Sequence, residues 1–276
     1  MSSLGFHLVL RLGDDRVIAP SRAARRRWAS QLCALARTFE IVAWKLADTH
    51  MHIVLRASEA EAHELVRRLR IWVALALSPG VPLEVQRLKP LAGQSHLEAA
   101  FHYALRQDDH HGVETDTYQD SSSVLDVLGL RVHAPEMPRR VREALPRLRR
   151  EALLQYLSID TLAEAVYPEH LAEAAAGAWA VESLRGRDAL AVAARQAAVG
   201  AARDIGPVAT ARALGITPQA ACRLAKAIAD PREVRAVRLQ MAFRAARPLG
   251  ASFEAEPRAA LPAYASKPSM YASARA

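Results

Sequence analysis

Two histidines separated by one residue, His50 and His52 around Met51, stand inside the stretch Ile41–Arg56, IVAWKLADTHMHIVLR, which otherwise has the apolar and β-branched character of buried strands. Side chains alternate across a strand, so both imidazoles leave one face of a sheet while Met51, Ile53 and Leu55 enter a core on the other. Imidazole is a common metal ligand, and a pair presented this way is half of a metal site. Two strand histidines that find unrelated hydrogen-bond partners are the other reading of the same pair. A second pair that could do chemistry lies in Ser95–His111, SHLEAAFHYALRQDDHH, where Tyr103 and Gln107 are four residues apart. Leu97, Phe101 and Leu105 share that spacing, so on a helix they make the apolar stripe, and Tyr103 and Gln107 fall on roughly the opposite face. A tyrosine there is either amphipathic surface or the partner of something outside the helix.

The elements that must position these residues follow from pattern. Phe6–Leu12 alternates as a first strand and Gly13-Asp14-Asp15 turns it. Ser21 caps a helix that runs through Arg25-Arg26-Arg27, Trp28 and Leu32 to about Thr38, its arginine trio facing solvent or a nucleic-acid backbone. Ile41–Leu46 and His50–Arg56 pair as a hairpin across Ala47-Asp48-Thr49, Glu59–Leu77 is helical up to Pro79-Gly80, and Pro82–Leu88 is a short strand. Strand, helix, strand, strand, helix, strand is the order of a ferredoxin-like split βαβ domain, with helices on one face of an antiparallel sheet and the histidines on the open one. Ser95 and Glu98 form a capping-box start for the tyrosine helix.

The chain has 276 residues, enough for two domains, and a formal charge of +8 with a pI near 10.0 that suits a polyanionic partner. Only four of its basic residues are lysines, and the arginine and alanine excess also fits a genome-wide composition bias. Cys33 and Cys222 share no motif, which points to a reducing interior, and the N-terminal SSLGFHLVLRLGDD lacks the pattern of a secretory leader. A cytoplasmic protein with no membrane segment is therefore expected.

The histidine pair on a strand followed by Tyr103 and Gln107, spaced Y-x-x-x-Q on a later helix, resembles the single-tyrosine HUH transposases, and among them the REP-associated tyrosine transposases. The resemblance covers roughly residues 4–131 and includes Phe6-His7 on the first strand, the hairpin, and Tyr118-Gln119-Asp120-Ser121-Ser122-Ser123 with Leu128-Gly129. It implies a divalent metal, magnesium or manganese, held by His50, His52 and the amide oxygen of Gln107. Ligand softness alone would also have allowed zinc. It further implies that Tyr103 is the nucleophile, forming a covalent 5′-phosphotyrosine on single-stranded or hairpin DNA and freeing a 3′-hydroxyl. His110 and His111 become fallback ligands or phosphate contacts. Ala47-Asp48-Thr49 stands where the family usually has Met-Pro-Asn or similar, and Gln107-Asp108 where it often has Asn-Pro after the tyrosine. A non-catalytic DNA-binding or regulatory relative, its chemistry lost through that changed turn, is the alternative; a third reading is a metalloprotein unrelated to DNA.

The expected organisation is an HUH domain over 1–134, an arginine-rich linker over 135–150 that lies on a phosphate backbone or in solvent, an all-α domain over 151–246, and a disordered tail over 247–276. Within the all-α part, Gly206–Ile228 has the shape of a helix-turn-helix: Pro207 opens a helix, Gly215 makes the turn and Thr217-Pro218 starts the next. On that second helix Gln219, Arg223 and Lys226 would face DNA, with Leu224 and Ile228 as anchors. An ordinary pair of bundle helices fits the same pattern.

Overall fold

Residue alternation in Gly5–Leu12 (β1) buries Phe6, Leu8, Leu10 and Leu12 on one side and leaves His7, Val9 and Arg11 on the other, and this polarity organises the molecule. The structure, a computed structural model, describes residues 3–77, 80–107 and 116–247. It is α+β, with one four-stranded antiparallel sheet in the order β2-β3-β1-β4, where β2 is Ile41–Leu46, β3 His50–Leu55 and β4 Leu83–Leu91. Helix α1 (Arg22–Ala36) starts at Ser21, whose side chain accepts from Ala24 N, and α2 (Glu59–Trp72) starts with a complete Ser58–Glu61 capping box and ends in a π turn over Val73–Leu77. The two meet through Trp28 and Trp72, ring centroids 4.8 Å apart, over the apolar side of the sheet.

Directly opposed residues in neighbouring strands share a face. Register therefore sets Lys45, His52, Val9 and Arg87 in one row across the sheet, Ala43, Val54, His7 and Lys89 in the next, and His50 beside Arg11. This polar side was expected to stay open. Instead α3 (Gln94–Leu105) packs across it, because its buried stripe of Leu97, Ala100, Phe101, Ala104 and Leu105 has to leave water. The helix begins one residue before Ser95, behind Gly93 and with no side-chain cap, so the Ser95–Glu98 box does not form.

The two sheet edges differ. Beside β2, Leu46 N donates to Ser121 O at 2.8 Å, Ser123 N to Trp44 O at 2.9 Å, and Trp44 N to Ser123 Oγ at 2.9 Å, so the segment after the tyrosine helix seals that edge. β4, which ends three residues later than Pro82–Leu88 suggested, is an outer strand whose Val85, Gln86, Arg87 and Pro90 are exposed; an outer strand tolerates Pro90 because the proline nitrogen has no proton to pair.

Two corrections concern arginines. Arg26 of the expected solvent-facing trio is buried, its Nη2 2.9 Å from Glu173 and its Nε 3.3 Å from the buried Asp120, because its place on α1 falls over the segment that seals the sheet edge. The stretch 135–150 is more than a linker. It contains α4 (Met137–Ala144), whose Met137, Val141 and Ala144 join the same apolar core as the sheet, and Arg140 Nη1 donates to the carbonyls of Ala36 and Phe39. That core continues into α5 (Arg150–Tyr156) and takes in Leu239 and Phe243 of the last described helix.

The helical half comprises α6 (Leu171–Ala178), α7 (Ala189–Ala201), α8 (Gly206–Leu214), α9 (Pro218–Ala225) and α10 (Pro231–Ala246) around a second core rich in alanine. Gly215 ends α8 in the left-handed region at φ 63°, and Thr217 caps α9 by accepting from Ala220 N. Leu224 packs on this core, but Ile228, expected as an anchor, is 95% exposed because α9 ends at Ala225 and the chain turns away before it. Most of the expected tail, 248–276, lies outside the described residues.

Candidate active site

The hairpin carries His50 and His52 to the polar side of the sheet, their ring centroids 4.8 Å apart. Ala47 N donates to His50 O, so the departed turn still closes the two strands in the register that presents both imidazoles. The central strand adds a third ring. His7 Nε2 and His52 Nδ1 are joined by a hydrogen bond of 2.9 Å, and the two rings stack at 5.2 Å. Both residues are nearly inaccessible, 3% and 2% exposed. Burial, with a smaller contribution from the positive charges of Arg87, Lys89 and His96, lowers the His7 pKa to about 4, so His7 is neutral at pH 7.

α3 then lowers Tyr103 onto this group. Its ring stands edge-on to His52 at 5.5 Å and to His7 at 5.8 Å, and it is half-buried. One turn later Gln107 is fully buried; its Nε2 donates to Tyr103 O at 2.8 Å, which ties the amide to the tyrosine backbone, and its Oε1 has no hydrogen-bond partner among the described residues. A buried carbonyl oxygen without a donor is costly unless something else satisfies it. His50, His52 and Tyr103 are thus brought together, and Gln107 is tied by its hydrogen bond to the Tyr103 backbone one turn earlier. His110 and His111 lie outside the described residues. Gln219 and Arg223 on α9, and Lys226 at its C-terminal cap, are exposed on the helical half.

Sequence reasoning did not find what supports the site. Lys45, in register with His52, is wholly buried, and its Nζ donates to Gln119 Oε1 and Ser121 Oγ, both at 3.1 Å. Arg131 holds the same segment from beneath, donating to Ser122 O, Asp120 O and Asp126 Oδ2 at 2.7–2.9 Å. Cys33 Sγ donates to the other Asp126 oxygen at 3.1 Å, and burial pushes the Cys33 thiol well above its usual range. The available signal was Lys45 itself, a cation inside the otherwise apolar IVAWKL, which requires acceptors supplied from elsewhere in the chain.

Among the described residues no three His, Cys, Asp or Glu side chains form a metal-holding group, and no helix is long and apolar enough to cross a membrane. Comparison with family models, with curated proteins and with solved structures finds no match to this chain.

Proposed function

We propose that the chain is a metal-dependent DNA strand transferase of the single-tyrosine HUH type, acting on single-stranded or hairpin DNA, with a ferredoxin-like catalytic half and a helix-turn-helix at α8–α9. The observation that carries this reading is the convergence of Tyr103 on His52 and His7, with His50 beside them, from a helix and two strands far apart in sequence. A surface tyrosine would have no reason to be set edge-on to two buried imidazoles.

The residues fit a divalent ion, magnesium or manganese. His52 uses Nδ1 toward His7, so a bond to the ion would fall to Nε2, His50 is the neighbouring imidazole, and Oε1 of Gln107, which has no donor among the described residues, would be an oxygen ligand of the right hardness. When bound, the ion would act as a Lewis acid on the scissile phosphodiester. The protein's own part is positioning. Tyr103 Oη attacks phosphorus, the new Tyr–O–P bond replaces the bond to the 3′-oxygen, the phenol loses its proton and the leaving oxygen gains one. Retaining a phosphodiester in the covalent intermediate conserves the bond energy for rejoining. The exposed Gln219 and Arg223 of α9, with Lys226 at its cap, would select the DNA and take no part in cutting it.

The experiment is a labelled hairpin or single-stranded oligonucleotide incubated with manganese and run on a denaturing gel. Wild type forms a covalent protein–DNA adduct; Tyr103→Phe, which keeps the ring and its packing, forms none while its melting temperature stays the same. An adduct that persists in the variant moves the nucleophile elsewhere. No adduct from wild type across varied palindromic substrates favours the non-catalytic DNA-binding alternative.

A further inference from the structure

We infer that Tyr156 is a positioning residue for Tyr103, holding the helix that carries the nucleophile at one roll angle above the histidines; this rests on the strand-transfer reading above. α3 needs such a hold. It starts behind Gly93 without a side-chain cap, and of the five buried residues that seat it on the sheet two are alanines, Ala100 and Ala104, whose low ridges resist rotation about the helix axis weakly. A phenol oxygen stands far from that axis, so a small roll carries Tyr103 Oη a long way across the site. Misplacement by about 1 Å costs about 100-fold in rate even when every group is present.

α5 supplies the hold. Its Leu153 and Leu154, with Leu157 just after it, are buried in the core shared with the sheet, and Arg247 Nη1 donates to Leu157 O at 3.2 Å, so α5 is anchored through residues other than Tyr156. From there Tyr156 reaches the flank of α3. Its hydroxyl is hydrogen-bonded to Nδ1 of His102, the residue immediately before the nucleophile, and the two rings lie 6.2 Å apart at 36°. One turn on, the guanidinium of Arg106 sits 5.8 Å from the centroid of the same phenol ring. His102 and Arg106 share a face at i, i+4 spacing, so a single aromatic side chain grips α3 at two points, one on either side of Tyr103 along the chain. The far end of the helix is tied separately, Gln94 Nε2 donating to Ala144 O of α4 at 2.5 Å. Burial, with the charge of Arg106, lowers the His102 pKa against an opposing pull from Glu98, which keeps the imidazole neutral near pH 7 and able to accept the phenol proton at Nδ1.

A half-buried phenol also takes whatever hydrogen bond is nearest, and that role predicts a change in stability alone. The test measures the rate of adduct formation with a labelled hairpin and manganese, over a range of DNA concentration, for wild type, Tyr156→Phe, His102→Leu and His102→Asn. Tyr156→Phe keeps the ring beside Arg106 and removes one oxygen. It and His102→Leu are expected to slow adduct formation at saturating DNA by about 10-fold or more, with the half-saturating DNA concentration and the calorimetric manganese affinity unchanged. His102→Asn, whose side-chain amide stands near the place of Nδ1, recovers most of the rate. Amide exchange over residues 102–106 quickens in Tyr156→Phe and keeps its wild-type rate in β1 and β3. A Tyr156→Phe protein that forms adduct at the wild-type rate overturns the inference. So does a His102→Asn protein as slow as His102→Leu, or a loss shared equally by manganese and DNA binding. If wild type forms no adduct, the strand-transfer reading and the inference fall together; adduct from wild type with no slowing in Tyr156→Phe removes the inference alone.

Discussion

On the sheet face the polar side chains are buried and bound to one another, whereas on α9 they stand in solvent. His7, His52, Lys45 and Gln107 each have a hydrogen bond of 2.8–3.1 Å that fixes their orientation, and the segment that supplies several of those partners is itself held by Arg131. Gln219, Arg223 and Lys226 sit on a helix of eight residues and its cap, with only Ala221 buried along it. On the proposed reading, the contrast matches a division of labour between cutting DNA and selecting it. Bond making requires atoms held within fractions of an ångström, so its groups are immobilised by neighbours that gain nothing from flexibility. Selection among DNA sequences tolerates side chains that adjust, and exposed ones keep that freedom.

This comparison can be broken most directly at His7, where the largest change is expected. His7→Phe retains the volume but removes the acceptor or donor facing His52 Nδ1 and should weaken manganese binding by about 10- to 100-fold, the usual consequence of losing the group that orients a ligating imidazole. His7→Gln, which can still hydrogen-bond, should recover most of that loss in calorimetric titration. Equal affinities in all three proteins would mean that His52 is oriented by something else. Next in size is the Gln219→Ala/Arg223→Ala/Lys226→Ala variant. It should lose roughly 1–3 kcal/mol of hairpin affinity, with adduct formation at saturating protein unchanged. A parallel loss of adduct would erase the division between the two regions. The smallest effect sharpens the division through stability. Lys45→Met leaves Gln119 Oε1 and Ser121 Oγ without their donor and should cost about 1–3 kcal/mol in urea unfolding, while the α9 variant should leave the midpoint unmoved.

Legibility followed the range over which each feature is decided. The four strands, α1 and its Ser21 cap, and the Gly215–Thr217 turn are governed by period and local chemistry, and they were readable to within a few residues. The pairing of His50 with His52 on one face was readable for the same reason. His7 was not assigned a role, because nothing local to FHLVLRL says that β3 will lie beside it. The burial of Arg26 and the packing of α4 were missed because charge runs are usually solvated; the acids that draw Arg26 inward are 94 and 147 residues away. Ile228 was misplaced by assuming that helical spacing continued past the true end of α9.

Arg244 of α10 is 1% exposed and lies 4.2 Å over the ring of Tyr118, within the electrostatic reach of Asp120 and Arg26, and burial lowers its pKa to about 10. Tyr118 and Asp120 belong to the segment that seals the β2 edge. The guanidinium that completes their surroundings therefore leaves the ribosome more than a hundred residues after the strand and helix that carry the histidines and the tyrosine. During synthesis the sheet can pair early, but the last of the charges around Arg26 and Asp120 arrives only with residue 244. A chain that stopped before the last described helix would keep the backbone pairing that closes the β2 edge and would lack the guanidinium that lies over Tyr118.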